Sequence, residues 1–399
     1  MNIIKNCKVL IICSLLFFCA SASAWDEGSK IKVMTQNQYL GADLAPLLTT
    51  TTPGEFNDVL VSVLKKIADS RFHDRAQRQA AQIAKENPHV VALQEAWRFD
   101  CKDLTPSMSG QGCKDPMIAG AFVDQLKETL SALKAQGLKY KVVASVKNLD
   151  VSVVQIPGLL AGIPFTINQF SVLLNTIDRD VILVRNDVPA RPVNYKKICP
   201  TRVSLDGCNY QVVIKAPIPG GPTEGLPIER GFVAADAKVG DKNYRIVTTH
   251  LELREPQLGN PLTRIYQAEQ AKELIQTLQA TTPLGKSLLL LGDMNSSPED
   301  KEINGIIPPY WQFVDAGYTD EWTLRRHVTP GYTCCQTEDL LNKKSELYER
   351  IDLIFSQQES WVEDIRLVGT MQSDKTLPPD PRLWPSDHAG VSGELHFWE

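Results

Sequence analysis

Short runs of β-branched and aliphatic residues recur along nearly the whole chain, and most of them stop at a polar residue. Residues 31–37, 89–94, 180–185, 232–239, 244–250, 287–291, 351–355 and 390–397 fit this pattern and are read as strands. The tetrapeptide Gly240-Asp241-Lys242-Asn243 between two of them is a hairpin turn, so part of the sheet is antiparallel. A 3.6-residue period appears over 74–86, 118–136 and 262–279. Phe122, Leu126, Leu130 and Leu133 share a face of the second of these helices, and Ile265, Ala268, Ala271, Ile275 and Leu278 share one of the third. Pro88 stops the first helix and Pro261 opens the third. Strands and helices are interleaved without a long linker, which predicts an α/β domain of packed sheets covered by helices.

The N-terminus breaks the rhythm. Lys5 and Lys8 precede the apolar run 9–20, and Ala22-Ser23-Ala24 follows it, the layout of a secretory signal peptide cleaved after Ala24. The expected organisation is a leader over 1–24 and one catalytic domain over 25–399, with insertions near 99–118, 148–178 and 189–228. Export places the mature chain in a secreted or periplasmic setting. Three of nine cysteines leave with the leader, and the other six, an even number in an oxidising compartment, read as three disulfides. Cys101 with Cys113 and Cys199 with Cys208 each close a short loop of turn residues. Cys334 and Cys335 are adjacent, so they pair with each other against normal disulfide geometry or reach elsewhere. A formal charge of -5 excludes an overall basic field for nucleic acid or acidic membrane, but not a local patch.

Candidate chemistry sits where the strands stop. Asn37 closes the first strand, Glu95 follows the second, and His250 closes the fifth. Asp293 and Asn295 follow the sixth, Asp352 lies early in the seventh, and Asp387-His388 precede the last. A hard divalent cation takes oxygen ligands and keeps several waters, so Glu95 with Asn37 is a sufficient protein share of a Mg²⁺ site, with Mn²⁺ as a substitute. Histidine titrates near neutral pH, which makes His388 the candidate general base for activating water. Asp293 and Asn295, two apart on one loop, can both face a phosphate or its attacking water. Asp387 either touches a metal or holds the loop.

Six stretches in order carry a family resemblance: Thr35-Gln36-Asn37, Leu93-Gln94-Glu95, Thr249-His250-Leu251, Gly292-Asp293-Met294-Asn295, Arg350-Ile351-Asp352 and Ser386-Asp387-His388. With them the chain resembles the endonuclease/exonuclease/phosphatase superfamily, which includes secreted deoxyribonucleases, bacterial sphingomyelinases and inositol polyphosphate phosphatases. The resemblance implies a four-layer α/β sandwich of two packed mixed or antiparallel sheets covered by helices, and a Mg²⁺-dependent phosphoester hydrolase. It also assigns Asp352 as the acceptor that orients His388, and His250 as a donor to the phosphorane or the leaving group. Gln38-Tyr39 departs from the acidic residue that many nucleases carry two positions after the first asparagine. The stretch Gly331-Tyr332-Thr333-Cys334-Cys335 resembles a group of exported bacterial members.

For substrate, the first expectation is a phospholipid headgroup, cleaved as a sphingomyelinase would; the alternatives are a nucleic acid and a phosphomonoester, with a non-catalytic binding module last. The apolar stretch 151–174, with Leu159, Leu160 and Phe165, is read either as an exposed hairpin making peripheral membrane contact or as an extra core hairpin. Arg179, Arg185, Lys196, Lys197 and Arg202 are candidates for a basic rim. His73, His89, His327 and His396 fall outside the motifs and are read as surface or packing residues.

Overall fold

Two sheets carry the strand pattern in the computed structural model, which describes residues 30–104, 110–153, 161–195, 198–199, 207–219, 225–254, 262–327 and 329–398. The expected leader over 1–24, together with Leu159, Leu160, Lys196, Lys197, Arg202 and Pro261, lies outside these residues. In chain order the first strands are β1 (Lys30–Asn37), β2 (Val90–Gln94), β3 (Arg98–Asp103), β4 (Tyr140–Asp150), β5 (Ile163–Ile167) and β6 (Phe170–Arg185). Short strands follow: β7 (Ala190–Pro192), β8 (Gly207–Asn209), β9 (Ile214–Ala216) and β10 (Leu226–Ile228). The rest are β11 (Gly231–Val239), β12 (Lys242–His250), β13 (Ser287–Asp293), β14 (Thr319–Asp320), β15 (Asp352–Ser356), β16 (Ser360–Val368) and β17 (Gly390–Phe397). The helices are α1 (Pro53–Asp69), α2 (Phe72–Glu86), α3 (Gln125–Ala135), α4 (Leu262–Thr281) and α5 (Pro309–Asp315).

The first sheet runs β16-β17-β1-β2-β6-β3, with β4 and β5 also paired to β6. The second runs β14-β15-β13-β12-β11-β7, with β8 also on β11, and β9 pairs with β10 apart from both. Alternate residues of the two sheets meet face to face: Val33, Ala92 and Ile182 of the first join Val233, Ile246, Leu289 and Ile354 of the second in one buried cluster. The opposite face of the first sheet, with Met34, Val91 and Leu183, packs on Phe72, Ala76, Ala80 and Ile83 of α2 and Leu133 of α3. That of the second, with Leu288, Leu290 and Phe355, packs on Ala271, Leu274 and Leu278 of α4 and Phe313 of α5. The result is a four-layer α/β/β/α sandwich.

Topology fixes where the polar strand ends go. β1 pairs with β2, and β12 with β13, in parallel, so each pair needs a helical crossover and delivers its C-terminal ends to the same edge. β17 and β15 are antiparallel to β1 and β13, so their N-terminal ends arrive at that edge too. Asp293 and Asp352 are direct register partners. Gln94, buried between the sheets, accepts from Thr35 Oγ1 at 3.2 Å and donates to Thr248 Oγ1 at 2.9 Å, tying the sheets together beneath this edge.

Several local expectations change. Asp124 accepts from the Lys127 backbone N–H at 3.3 Å and so starts α3 at Gln125, leaving 119–121 as a separate 3-10 turn in place of one helix over 118–136. The hairpin loop is only Gly240-Asp241, because Val239 already pairs with Lys242. Ile265 is 40% exposed, and Leu274 takes its place on the buried face of α4. α1 was not anticipated, although Thr52 caps the Glu55 N–H at 3.2 Å and Phe56, Leu60, Val63, Leu64 and Ile67 form its buried stripe. In the described part of 151–174, Val151, Ile163, Phe165, Ile167, Val172 and Leu174 are all buried with α1, as an extra core hairpin and not as an exposed one. The six described cysteines pair as Cys101–Cys113, Cys199–Cys208 and Cys334–Cys335. Among the described residues no helix is long and apolar enough to cross a membrane.

One buried acid outside the strand-end edge gives a direct test of packing. Glu321 accepts from Ser360 Oγ at 2.7 Å, and burial, against the lowering by Ser356 and Ser360, pushes its pKa up to about 7 from 4.5. A folded-state pKa raised above the unfolded one makes its contribution fully present below pH 4.5 and lost as pH rises through 7. Above that window the buried charge costs roughly 3 kcal/mol. Glu321→Gln is therefore expected to raise Tm at pH 8 and to leave it unchanged at pH 4, measured by scanning calorimetry. An equal Tm for variant and parent at pH 8 would refute the reading.

Candidate active site

Asn37, Glu95, His250, Asp293, Asn295, Asp352, Asp387 and His388 converge at the edge where the parallel strands end. Asn37 Nδ2 donates to Glu95 Oε1 at 3.0 Å and to Asp293 Oδ2 at 3.1 Å, while its Oδ1 accepts from the Tyr39 N–H at 2.9 Å. Glu95 turns out of β2 with φ +55° and accepts the Leu40 N–H on its second oxygen at 2.9 Å. Asn295, also left-handed at φ +45°, donates its N–H to Asp293 Oδ1 at 2.9 Å and its side-chain amide to the Leu251 carbonyl at 2.9 Å. These turns let two residues leave a strand end and face the same space. Asp387 accepts from Ser386 Oγ at 3.3 Å and has an oxygen 4.0 Å from His388 Nε2.

His388 Nδ1 lies 2.8 Å from Asp352 Oδ2 and 3.8 Å from Asp293 Oδ2. Thr333 Oγ1 accepts the Asp352 N–H at 3.0 Å and fixes the start of β15. Burial pulls the His388 pKa down, but Asp352, Asp387 and Asp293 outweigh it and hold the ring protonated well above its ordinary range. His250 behaves in the opposite way. Burial, then Arg230 and His388, push its pKa well below the ordinary value, so it is a neutral imidazole with Nε2 3.5 Å from Asp293 Oδ2 and, among the described residues, no partner on Nδ1. Burial and the neighbouring Asp352 raise Asp293 to about 7, and burial and Glu95 raise Asp387 to about 6 against the lowering by His388.

This donor set suits a hard divalent cation. Four carboxylates, those of Glu95, Asp293, Asp352 and Asp387, crowd one edge, and the pKa values of Asp293 and Asp387 show that negative charge there is under-compensated. Asp352 Oδ1 is buried without a hydrogen-bond partner among the described residues. One ligand atom each of Asp293, Asp352 and His388 lies within 4.8 Å of the others. Glu95 offers the carboxylate oxygens expected of such a site; Asn37 stands beside it with Nδ2 toward Glu95 and Oδ1 on the Tyr39 N–H, so a turn of the amide would bring its oxygen to a cation.

Three supporting residues were not singled out in the sequence. Arg75 of α2 is completely buried and donates to the carbonyls of Ser70, Gln38, Tyr39 and Pro385 at 2.8–3.2 Å, locking the loop after Asn37 to the loop before His388. Its signal was an arginine inside the apolar stripe of Phe72, Ala76, Ala80 and Ile83. Ser386 donates to the Asn37 carbonyl at 2.8 Å across the same junction. Arg230, at the start of β11, borders the site 3.6 Å from Glu252. Of the expected basic rim, Lys196, Lys197 and Arg202 lie outside the described residues, and the two described members are both held elsewhere. Arg179 is taken by Asp124 and the Ala96 carbonyl, and Arg185 is held at the far end of β6 by Asp187. His73 and His396 bond to surface glutamates, and His89 accepts from the Lys32 N–H, as packing residues do.

The site is the floor of a cleft of about 720 Å³. One end holds the polar groups above. The other is an apolar arm walled by α1 residues such as Phe56 and Leu60, by Trp97 and Phe99, and by Ala216 and Leu226 of β9 and β10. Arg230 and Arg254 are the cationic side chains among its described lining, and each faces a glutamate, Glu252 and Glu349 respectively.

The sequence profile of the Endonuclease/Exonuclease/phosphatase family matches residues 66–388. Among solved structures, an endonuclease/exonuclease/phosphatase from Beutenbergia cavernae DSM 12333 superposes with a TM-score of 0.51 at 19% identity, covering 92% of this chain and 72% of that one. A mannosyl-6-phosphatase from Bacteroides thetaiotaomicron VPI-5482 gives 0.51 at 14% identity, covering 92% and 100%. A further family protein from Bacteroides thetaiotaomicron gives 0.51 at 15% identity, covering 93% and 98%. At these identities the likeness concerns the fold. No curated protein matches the sequence.

Proposed function

The chain belongs to the endonuclease/exonuclease/phosphatase family, whose members hydrolyse phosphoesters and generally use a divalent metal, and on that premise we propose that it is an exported Mg²⁺-dependent phosphodiesterase acting on phospholipid headgroups. The observation that carries the substrate class is the cleft. Its catalytic floor continues into an apolar arm, and its described lining offers no row of free basic side chains. A nucleic acid needs such a row, because phosphate contacts from Lys and Arg supply most of its affinity. An amphiphile with a single phosphate needs instead one polar end beside an apolar one. The leader pattern and the three cysteine pairs support export.

Glu95 and Asn37 would hold the Mg²⁺, with Mn²⁺ as a substitute and Asp387 at its edge. A cation held there would supply positive charge to the phosphoryl oxygens and would offset the carboxylate charge around His388. Asp352 occupies Nδ1 of His388, which leaves Nε2 to take the proton of the attacking water. Asp293 and Asn295 orient that water and the phosphate. Neutral His250 carries one ring proton and donates it as a hydrogen bond to an oxygen that gains charge in the transition state.

A panel with Mg²⁺ tests the reading on sphingomyelin, phosphatidylcholine, plasmid DNA and a phosphomonoester. Release of phosphocholine from a lipid, with little nicking of DNA, is the expected result. Rapid DNA cleavage without lipid hydrolysis would overturn it in favour of a nuclease, and release of inorganic phosphate alone in favour of a phosphomonoesterase.

A further inference from the structure

We propose that the apolar arm holds one hydrocarbon chain of the substrate inside the protein, so that the enzyme works on a single amphiphile with its phosphoester at Asp293 and its tail between α1 and the β9–β10 pair. The proposal rests on the phospholipid reading above and adds to it where the tail goes.

Three observations lead to it. The arm and the catalytic floor are one continuous cleft, since Asp293, His250 and Glu95 line it together with Phe56, Leu60 and Ala216. A ligand with its phosphate on the floor therefore has its apolar part directed into the arm. The mouth is apolar as well: Leu44, Leu47 and Leu48 on one side and Ile214, Ile218 and Ile228 on the other are half-buried, and they continue the buried cluster outward. A solvated rim would be polar. Size favours one chain over two. A dry 150 Å³ cavity holds a benzene, or roughly 25 Å³ per carbon, so 720 Å³ accommodates roughly 29 non-hydrogen atoms. A phosphocholine group takes about 11 of these by this count, leaving space for roughly 18 carbons.

The test uses alkylphosphocholines of increasing chain length, each kept monomeric, with binding to the full mature chain followed by calorimetry. Trp97 in the arm wall gives a second readout by fluorescence. Affinity is expected to rise about fourfold per added methylene, the ratio equivalent to about 0.8 kcal/mol of burial, and then to level off when the arm is full. Leu47→Asp with Leu48→Asp, at half-buried positions of the mouth, should flatten this rise while the circular dichroism spectrum stays that of the parent. Ala216→Trp, which fills the arm from β9, should shorten the length at which the plateau is reached.

Chain-length-independent binding in the parent would overturn the arm assignment, and so would a rise that neither variant alters. If lipid hydrolysis persists in either case, the phospholipid reading stands without the arm. A chain-length-dependent affinity in a protein that hydrolyses no phospholipid would sustain the arm and overturn the substrate reading instead.

Discussion

His388→Ala is expected to lower kcat by about 10²- to 10⁴-fold while the circular dichroism spectrum stays that of the parent. The side chain precedes β17 and contributes nothing to a strand interior, so its loss does not open the sheet. What disappears is the only imidazole held by a carboxylate on one nitrogen with the other beside the catalytic carboxylates. Asp352→Asn is the informative companion. It keeps the volume and the Thr333 contact to its N–H but removes the charge that raises the His388 pKa. The acid limb of its pH-rate profile should therefore move to lower pH. A His388→Ala enzyme with more than about half the parental rate would exclude the base assignment, since such a loss lies far below the effect of deleting a general base.

Chelation should abolish turnover, Mg²⁺ or Mn²⁺ should restore it, and Glu95→Gln should remain inactive even at high metal. The carboxylate of Glu95 bridges the Asn37 amide and the Leu40 N–H, so glutamine fits the space and the loss isolates charge. Partners that only orient metal ligands typically cost 10- to 100-fold when removed, so a ligand should cost on the order of 10²-fold or more. A metal titration of initial rate measures this directly. Turnover that survives exhaustive chelation would overturn the metal-dependent mechanism.

The meeting of these residues at one edge was legible because each lies at or next to an end of a strand whose apolar run is unmistakable. Parallel pairing then brings Asn37 to Glu95 and His250 to Asp293, and the packing of the two sheets brings these pairs together. α1 was also legible, through Thr52, Glu55 and its five-residue apolar stripe, and was passed over because no neighbouring strand motif drew attention to it. Arg75 belongs to a different category. On a helix wheel it is one polar residue in an apolar face, and only the meeting of the Gln38–Tyr39 loop with Pro385 shows why a charge is tolerated there. The arm was hidden for the same reason. Its walls come from residues 44–67 and 97–99 and from the described parts of 149–174 and 214–228, and no local pattern announces that these four segments share a surface. Of the two readings of 151–174, the described residues bear out the core hairpin, and only the fold shows that its partner is α1.

The division of labour between strand ends and intervening segments has a consequence for how such a protein can change. Every residue assigned to bond cleavage is fixed to a strand of the inter-sheet core, and the arm is built from pieces of chain that leave one core strand and return to the next. Exchanging those pieces leaves the register of β1, β2, β12 and β13 as it is. What the enzyme cuts can therefore drift, or be regrafted from another member, while how it cuts is inherited unaltered.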